Sequence, residues 1–273
     1  MRKLTMGAAA LAMTVLGSTG QGWADEVGRL AITPQPGNPL PELISGYEFR
    51  NPKTQQLQDD DFENPAFLWL ERGEELWDVA EGEEGKACSS CHDAAEDTMK
   101  GIAAAYPKFN EALGKPINLE QRINMCRTDN MKAEAWKWES DELLGMTVFV
   151  RHQSRGMPVN VAVDGPMTPF FEKGKEFYYG RRGQLDMSCA NCHEDYYGTR
   201  IRADMLSQGH SNGFPTYRLK WQKVGSLHRR FRGCNSQVRA DRFGYGADEY
   251  VNLEVYLGWR GNGMPVETPA VRQ

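Results

Sequence analysis

Apolar residues recur at helical intervals in four stretches that pair off in order along the chain. In residues 64–80, Phe67, Leu70 and Leu76 with Trp69, Trp77 and Val79 are spaced by roughly three and four, and Phe170, Phe171, Phe177 and Tyr178 offer a matching pattern later on. The other two stretches, DELLGMTVFVRHQSRGMPV at 141–159 and DEYVNLEVYLGWRGNGMPV at 248–266, align without a gap. Each predicts a closing helix with an acidic first turn, which complements the helix dipole. Between the opening and closing helices the pattern predicts a loop-rich middle, punctuated by Pro107 and Pro116 in the first copy and Pro215 in the second.

The pairing is an internal repeat. Glu71-Arg-Gly-Glu-Glu-Leu-Trp77 matches Glu172-Lys-Gly-Lys-Glu-Phe-Tyr178, and Leu119, Arg122 and Cys126 fall on Leu227, Arg230 and Cys234. A repeat of about 100 residues is one small domain. The limits are set at 62–160 for the first copy and 161–273 for the second. Residues 25–61, with Pro34, Pro36, Pro39, Pro41 and Pro52, predict an extended arm or linker. Ahead of it, Arg2 and Lys3, the apolar run LTMGAAALAMTVLG and the small residues Gly22 and Ala24 predict a secretory signal over 1–24, cleaved after Ala24. The apolar run is shorter than the ~20 residues a membrane span needs, and no later stretch qualifies. The mature chain is therefore expected in the periplasm, without a membrane span.

An exported chain with six cysteines ordinarily carries disulfides. The spacing redirects four of them: Cys88-Ser-Ser-Cys91-His92 and Cys189-Ala-Asn-Cys192-His193 are both CxxCH, the pattern of covalent c-type haem attachment. Two thiols about one helical turn apart can each form a thioether with a vinyl group, and His92 or His193 then becomes the proximal iron ligand. Two haem c groups are expected. The order of opening helix, haem motif, ligand loop and closing helix is the plan of a class I cytochrome c domain, so the fold class is mainly α, two tandem domains of this kind.

Each iron then needs a distal ligand. Met157 and Met264 occupy equivalent GMPV positions but follow the closing helices, while His152, His210 and His228 have no counterparts in the other copy. Cys126 and Cys234 stand 34 and 41 residues beyond their proximal histidines, before the closing helix, and each has an arginine four residues upstream. That cation favours the thiolate form. The preferred reading puts both cysteines on iron; a disulfide between them and burial as small apolar groups stay open.

Charge separates the two copies. The chain is acidic overall, with a formal net charge of −5, yet residues 217–242 carry Arg218, Lys220, Lys223, Arg229, Arg230, Arg232, Arg239 and Arg242 against Asp241 alone. The equivalent stretch 109–134 is balanced. A local excess of guanidinium forks suits a small tetrahedral oxyanion, with a solvated basic face and neutralisation of haem propionates as the other readings; nucleic acid is not expected for an exported haem protein.

CSSCH, CANCH and RRFRGCNSQ, together with nearly the whole mature chain, resemble the dihaem SoxA subunits of the SoxAX cytochromes of bacterial sulfur oxidation. The resemblance implies a heterodimer with a SoxX-type monohaem cytochrome, and oxidative attachment of thiosulfate to a cysteine of the SoxYZ carrier as an L-cysteine S-thiosulfotransferase. It further implies that Cys234 ligates the active-site haem and carries sulfur as a persulfide, that Arg230 contacts substrate, and that electrons pass to a cytochrome c acceptor. Three other functions fit the residues less fully: a thiosulfate dehydrogenase forming tetrathionate, a plain dihaem electron carrier and a dihaem peroxidase.

Overall fold

The computed structural model describes residues 31–273. The signal segment 1–24 lies outside the described residues. The arm that follows packs against the second domain. Its first strands, β1 (Ala31–Ile32) and β2 (Leu43–Ile44), pair antiparallel, and α1 (Pro52–Asp59) opens with a proline at its first turn and an Asn51 side chain that accepts from the Thr54 N–H. Side chains of the second domain satisfy the arm's backbone. Ile44 N–H donates to Gln208 Oε1 at 2.7 Å, and Gln208 Nε2 donates to the Glu42 carbonyl at 3.1 Å. Leu40 and Leu43 pack with Met264, so the GMPV methionine of the second copy belongs to this small core.

The first domain runs α2 (Phe67–Trp77), α3 (Ser89–His92), α4 (Ala95–Thr98), the hairpin β3 (Lys108–Asn110) and β4 (Lys115–Ile117), α5 (Leu119–Met125) and α6 (Asp141–His152). The second runs α7 (Thr168–Tyr179), a wide π-helical turn at Asn191–Asp195, the hairpin β5 (Arg200–Ile201) and β6 (Asp204–Met205), β7 (Thr216–Arg218), β8 (Lys223–Gly225), α8 (Leu227–Gln237), α9 (Asp248–Arg260) and β9 (Ala270–Arg272). Strand β9 lies parallel beside β7, giving the order β8-β7-β9. The predicted opening and closing helices are all present. Ser140 caps α6 by accepting from the Leu143 N–H, ahead of Asp141 and Glu142 in its first turn.

The middle of each domain departs from the expected loop. It holds α5 and α8, both with capped starts: Asn118 and Gln121 form a reciprocal capping box, and Ser226 accepts from the Arg229 N–H. The expected ligand loop is therefore a helix in both copies, with Cys126 where α5 widens into a π-helical turn at Cys126–Met131 and Cys234 within α8.

In each domain the opening helix crosses the closing helix, α2 on α6 and α7 on α9. The central glycine of the repeated ERGEELW and EKGKEFY stretches makes the crossing. A Cβ on Gly73 would stand 2.3 Å from the Gly145 carbonyl oxygen, and one on Gly174 would stand 1.9 Å from that of Asn252. Leu76, Trp77, Leu143, Met146 and Phe149 fill the first core, and Tyr178, Phe231, Tyr250, Leu253 and Tyr256 the second.

The domains share a third core, where Leu144 and Val148 of α6 meet Tyr217, Val224 and Val271 of the sheet. Beside it Trp138 stacks flat on His228, with ring centroids 5.2 Å apart. His228 Nε2 lies 2.9 Å from Glu254 Oε1, and Asn118 Nδ2 donates to the same oxygen at 3.3 Å. Burial, and then Glu254, push the buried Glu120 carboxyl up to about 7. With Arg151 of α6 acting on Glu120 and Glu254, these groups tie α5, α6, α8 and α9 together, which compensates part of the cost of burying them.

Candidate active site

The fold gathers the cysteines into two groups of three. Cys126 lies within electrostatic reach of Cys88 and Cys91, and Cys234 within reach of Cys189 and Cys192. None of the six forms a disulfide, so none joins Cys126 to Cys234. Burial pushes Cys88 up to about 11 and Cys189 up to about 12. Cys126 is raised by burial too, with Arg122 pulling the other way. A buried thiol of this kind is kept neutral by its surroundings until a covalent bond or a metal replaces the proton.

The second motif is the better defined. His193 Nδ1 lies 2.7 Å from the Ser207 carbonyl oxygen, which fixes that nitrogen as the N–H donor and leaves Nε2 free to ligate. Desolvation lowers the imidazole to about 4, in keeping with a neutral ligand. Gly209, at φ +76°, lies flat on the ring; a Cβ there would stand 2.7 Å from His193 Cγ. Buried Arg260 secures the segment from behind, donating through Nη2 to the His193 carbonyl at 3.1 Å and lying 3.3 Å from Glu194 Oε1. Sequence reasoning passed over Arg260, whose position in the first copy is Gln153. A pair of thiols, an oriented imidazole and a third thiol from a neighbouring helix make a donor set that fits a covalently held, axially ligated haem.

The competing ligands stand elsewhere. Met264 is 1% exposed in the arm's core, and the Met157 methyl packs over Gly101. His152 stacks edge-on against Phe67, His210 bonds Gln208 at 2.9 Å and His228 belongs to the interdomain charge cluster.

Helix α8 carries Arg230 one turn before Cys234 and forms a wall of a cavity of about 390 Å³. Six of the eight clustered basic residues line it: Arg218, Lys220, Arg229, Arg230, Arg232 and Arg242, together with Trp221, Tyr245 and Asp204. The other two face away. Lys223 Nζ lies 3.4 Å from Asp141 Oδ1, and Arg239 Nη1 lies 3.5 Å from Gln184 Oε1. Arg229 divides its role, since Nη1 lies 3.4 Å from Glu139 Oε2 of the first domain. Part of the charge excess therefore holds the domains together. Burial, and then Arg230, push Arg218 down to about 10. Arg50 of the arm falls to about 10 through burial and Arg272, with Asp204 and Arg230 also acting on it.

The first domain has no such surplus around Cys126. Its Arg127 is paired with Glu81 at 2.5 Å and stacked over Trp136 at 3.6 Å. The two domains thus share a donor set and differ in the charge around it.

Comparison with known proteins agrees with this duplication. The family model described as the SoxA/TsdA cytochrome c domain matches twice, at residues 72–159 and 173–266. A protein of Pseudaminobacter salicylatoxidans named L-cysteine S-thiosulfotransferase subunit SoxA is 48% identical over 238 residues, covering 87% of this chain and 83% of its own. Its namesake from Rhodovulum sulfidophilum is 50% identical over 231 residues, covering 85% and 80%. The crystal structure of SoxXA from P. pantotrophus superposes with a TM-score of 0.83 at 46% identity, covering 86% of this chain and 88% of the matched one.

Proposed function

We infer, from the premise that this chain belongs to the SoxA/TsdA cytochrome c family, that it is an L-cysteine S-thiosulfotransferase subunit acting in thiosulfate oxidation. The observation that carries the reading to a site is Cys234 on α8, beside the second CxxCH motif and one helical turn from Arg230, which itself lines the guanidinium-rich cavity. A cytochrome c domain holds haem c covalently, and the two thiol groups accommodate two haems: Cys88 and Cys91 on the first, Cys189 and Cys192 on the second. His92 and Cys126 would ligate the first iron, His193 and Cys234 the second. When bound, haem supplies one-electron redox capacity at a potential set by its axial ligands. The domain limits 62–160 and 161–273 enclose these two sets.

The chain's own residues hold and carry sulfur. Arg230 grips the sulfonate end of thiosulfate in two-point fashion and leaves the outer sulfur facing Cys234. The Cys234 sulfur, as thiolate or persulfide, bonds to that outer sulfur. Two electrons leave as the sulfur–sulfur bond forms, and acceptors of the cytochrome c class take them one at a time. A thiolate of the carrier then attacks, the new bond shifts to the carrier cysteine, and Cys234 departs as the leaving group.

The partners follow the relatives' names. A SoxX-type monohaem cytochrome completes a heterodimer, and a SoxYZ-type carrier receives the product. An exported site, with residues 1–24 removed, accommodates free thiosulfate and covalent haem. Among the described residues no helix is long and apolar enough to cross a membrane.

Product analysis tests the reading. With thiosulfate, carrier and an oxidised cytochrome, the carrier cysteine is expected to gain a thiosulfonate group by mass spectrometry. Tetrathionate as the sole product, unaffected by carrier, would instead make the protein a thiosulfate dehydrogenase.

The same assignment predicts unequal domains. Cys126→Ala is expected to change the electron paramagnetic resonance signal of one low-spin haem while at least half the conjugation rate survives. Loss of activity as complete as that of a Cys234 variant, in a folded protein with both haems attached, would show that the first site is not an accessory to the second.

A further inference from the structure

Cys126 follows His92 by 34 residues, whereas Cys234 follows His193 by 41. The β5–β6 hairpin lies within the longer interval. It carries Asp204, whose Oδ2 lies 3.8 Å from Arg218 Nη2 and which is the one carboxylate lining the basic cavity. Arg50 fixes the hairpin from the arm, donating through Nη2 to the Met205 carbonyl at 2.8 Å. Arg218 is held without Asp204: its Nε donates to the Gln273 carbonyl at 2.7 Å, and its guanidinium lies 5.0 Å from the Trp221 ring centre. One edge of a buried, preplaced guanidinium therefore faces a carboxylate that is one-third exposed, too far away for a hydrogen bond.

We propose that Asp204 is a specificity-determining residue, a tethered anion that occupies the Arg218 side of the cavity until the substrate dianion takes its place and is gripped by Arg218 and Arg230 together. The proposal rests on the thiosulfate reading above. The chemistry makes the exchange directional. Thiosulfate carries two negative charges and three sulfonate oxygens suited to two guanidinium forks, and so outcompetes a single, partly solvated carboxylate. Monoanions bring no more charge than Asp204 already supplies, and are excluded. After conjugation the sulfonate is part of a cysteine adduct with one negative charge, which Asp204 rivals on equal terms, and release follows. Selectivity of this kind is a difference between two affinities, set by a built-in competitor.

The test is calorimetric titration of the complete haem-loaded complex with thiosulfate, with sulfate as an inert dianion and with methanesulfonate as a monoanion. Asp204→Asn is expected to tighten both dianions about tenfold and to bring methanesulfonate binding into range, because the competing charge is gone. Asp204→Glu should restore the wild-type order. In turnover, Asp204→Asn should lower KM and also kcat, since the product now lingers. Arg218→Gln should weaken both dianions by about tenfold or more at unchanged haem content. Should Arg218→Gln fail to fold, the Asp204→Asn titration decides alone. Unchanged or weaker binding of both dianions in Asp204→Asn overturns the proposal. Tightening for sulfate but not for thiosulfate upholds Asp204 as an anion competitor and sinks the thiosulfate reading of the cavity.

Discussion

Gly174→Ala is expected to lower the melting temperature of the protein by roughly 6–12 °C, the shift that a loss of roughly 3 kcal/mol produces in a chain of this size. The reason lies in one contact. A methyl group there would stand 1.9 Å from the Asn252 carbonyl oxygen, 2.6 Å from its carbon and 3.0 Å from Tyr256 Cβ. None of these is the free end of a flexible side chain, and the oxygen belongs to the backbone of α9. The helices must therefore move apart, loosening the packing of Phe171 and Tyr178 against Tyr256. Because α7 and α9 frame the segment that presents His193, haem incorporation into the second domain should fall with stability. Gly244→Ala is the control, since nothing lies within 4 Å of a methyl group there. A Gly174→Ala protein that melts with the wild type would mean that the crossing is looser than the structure has it.

The same crossing shows what could be read from sequence. Opening and closing helices each bury one stripe against the other, so the apolar period survives in the sequence and α2, α6, α7 and α9 were all legible. Register along the repeat paired Cys126 with Cys234 and Arg122 with Arg230, although it could not say that both pairs ride on helices. Helix α8 buries Leu227, His228 and Phe231 in an arginine-rich segment, which leaves a faint period. Its signal lay at the start, in the Ser226 cap, as the Asn118 and Gln121 box announced α5.

Long-range contacts left no local trace. Pro34, Pro36, Pro39 and Pro41 stand in irregular backbone and Pro52 opens α1, yet the arm's hydrogen-bond partners include Gln208 and Met205, more than 150 residues away. Arg50, Asp204 and Arg218 come from the arm, a hairpin and the sheet, and nothing in their neighbouring residues announces that they meet. The charge excess of 217–242 was visible as a sum. Its division between the wall of a cavity and an interdomain clamp through Lys223 and Arg229 depends on Asp141 and Glu139, which only the fold brings near.

Cys234→Ala is expected to cut carrier conjugation by a factor of roughly 10³ or more, the scale on which removal of a covalent nucleophile acts. On the proposed assignment both haems should remain attached, because Cys189 and Cys192 would hold the second one independently of Cys234, and a pyridine haemochrome assay would count them. Mass spectrometry of the wild-type peptide should find a fraction bearing one additional sulfur that a reductant removes. Cys234→Met separates the two duties proposed for the residue. A thioether can still ligate iron, but it has no thiolate with which to take the outer sulfur of thiosulfate, so this variant should regain a six-coordinate spectrum and stay inactive. The arginines around it would be untouched, and thiosulfate should still bind at near wild-type affinity in both variants. A Cys234→Met protein that conjugates thiosulfate at the wild-type rate would leave Cys234 as an axial ligand alone, and the sulfur chemistry would then have to belong to another thiol.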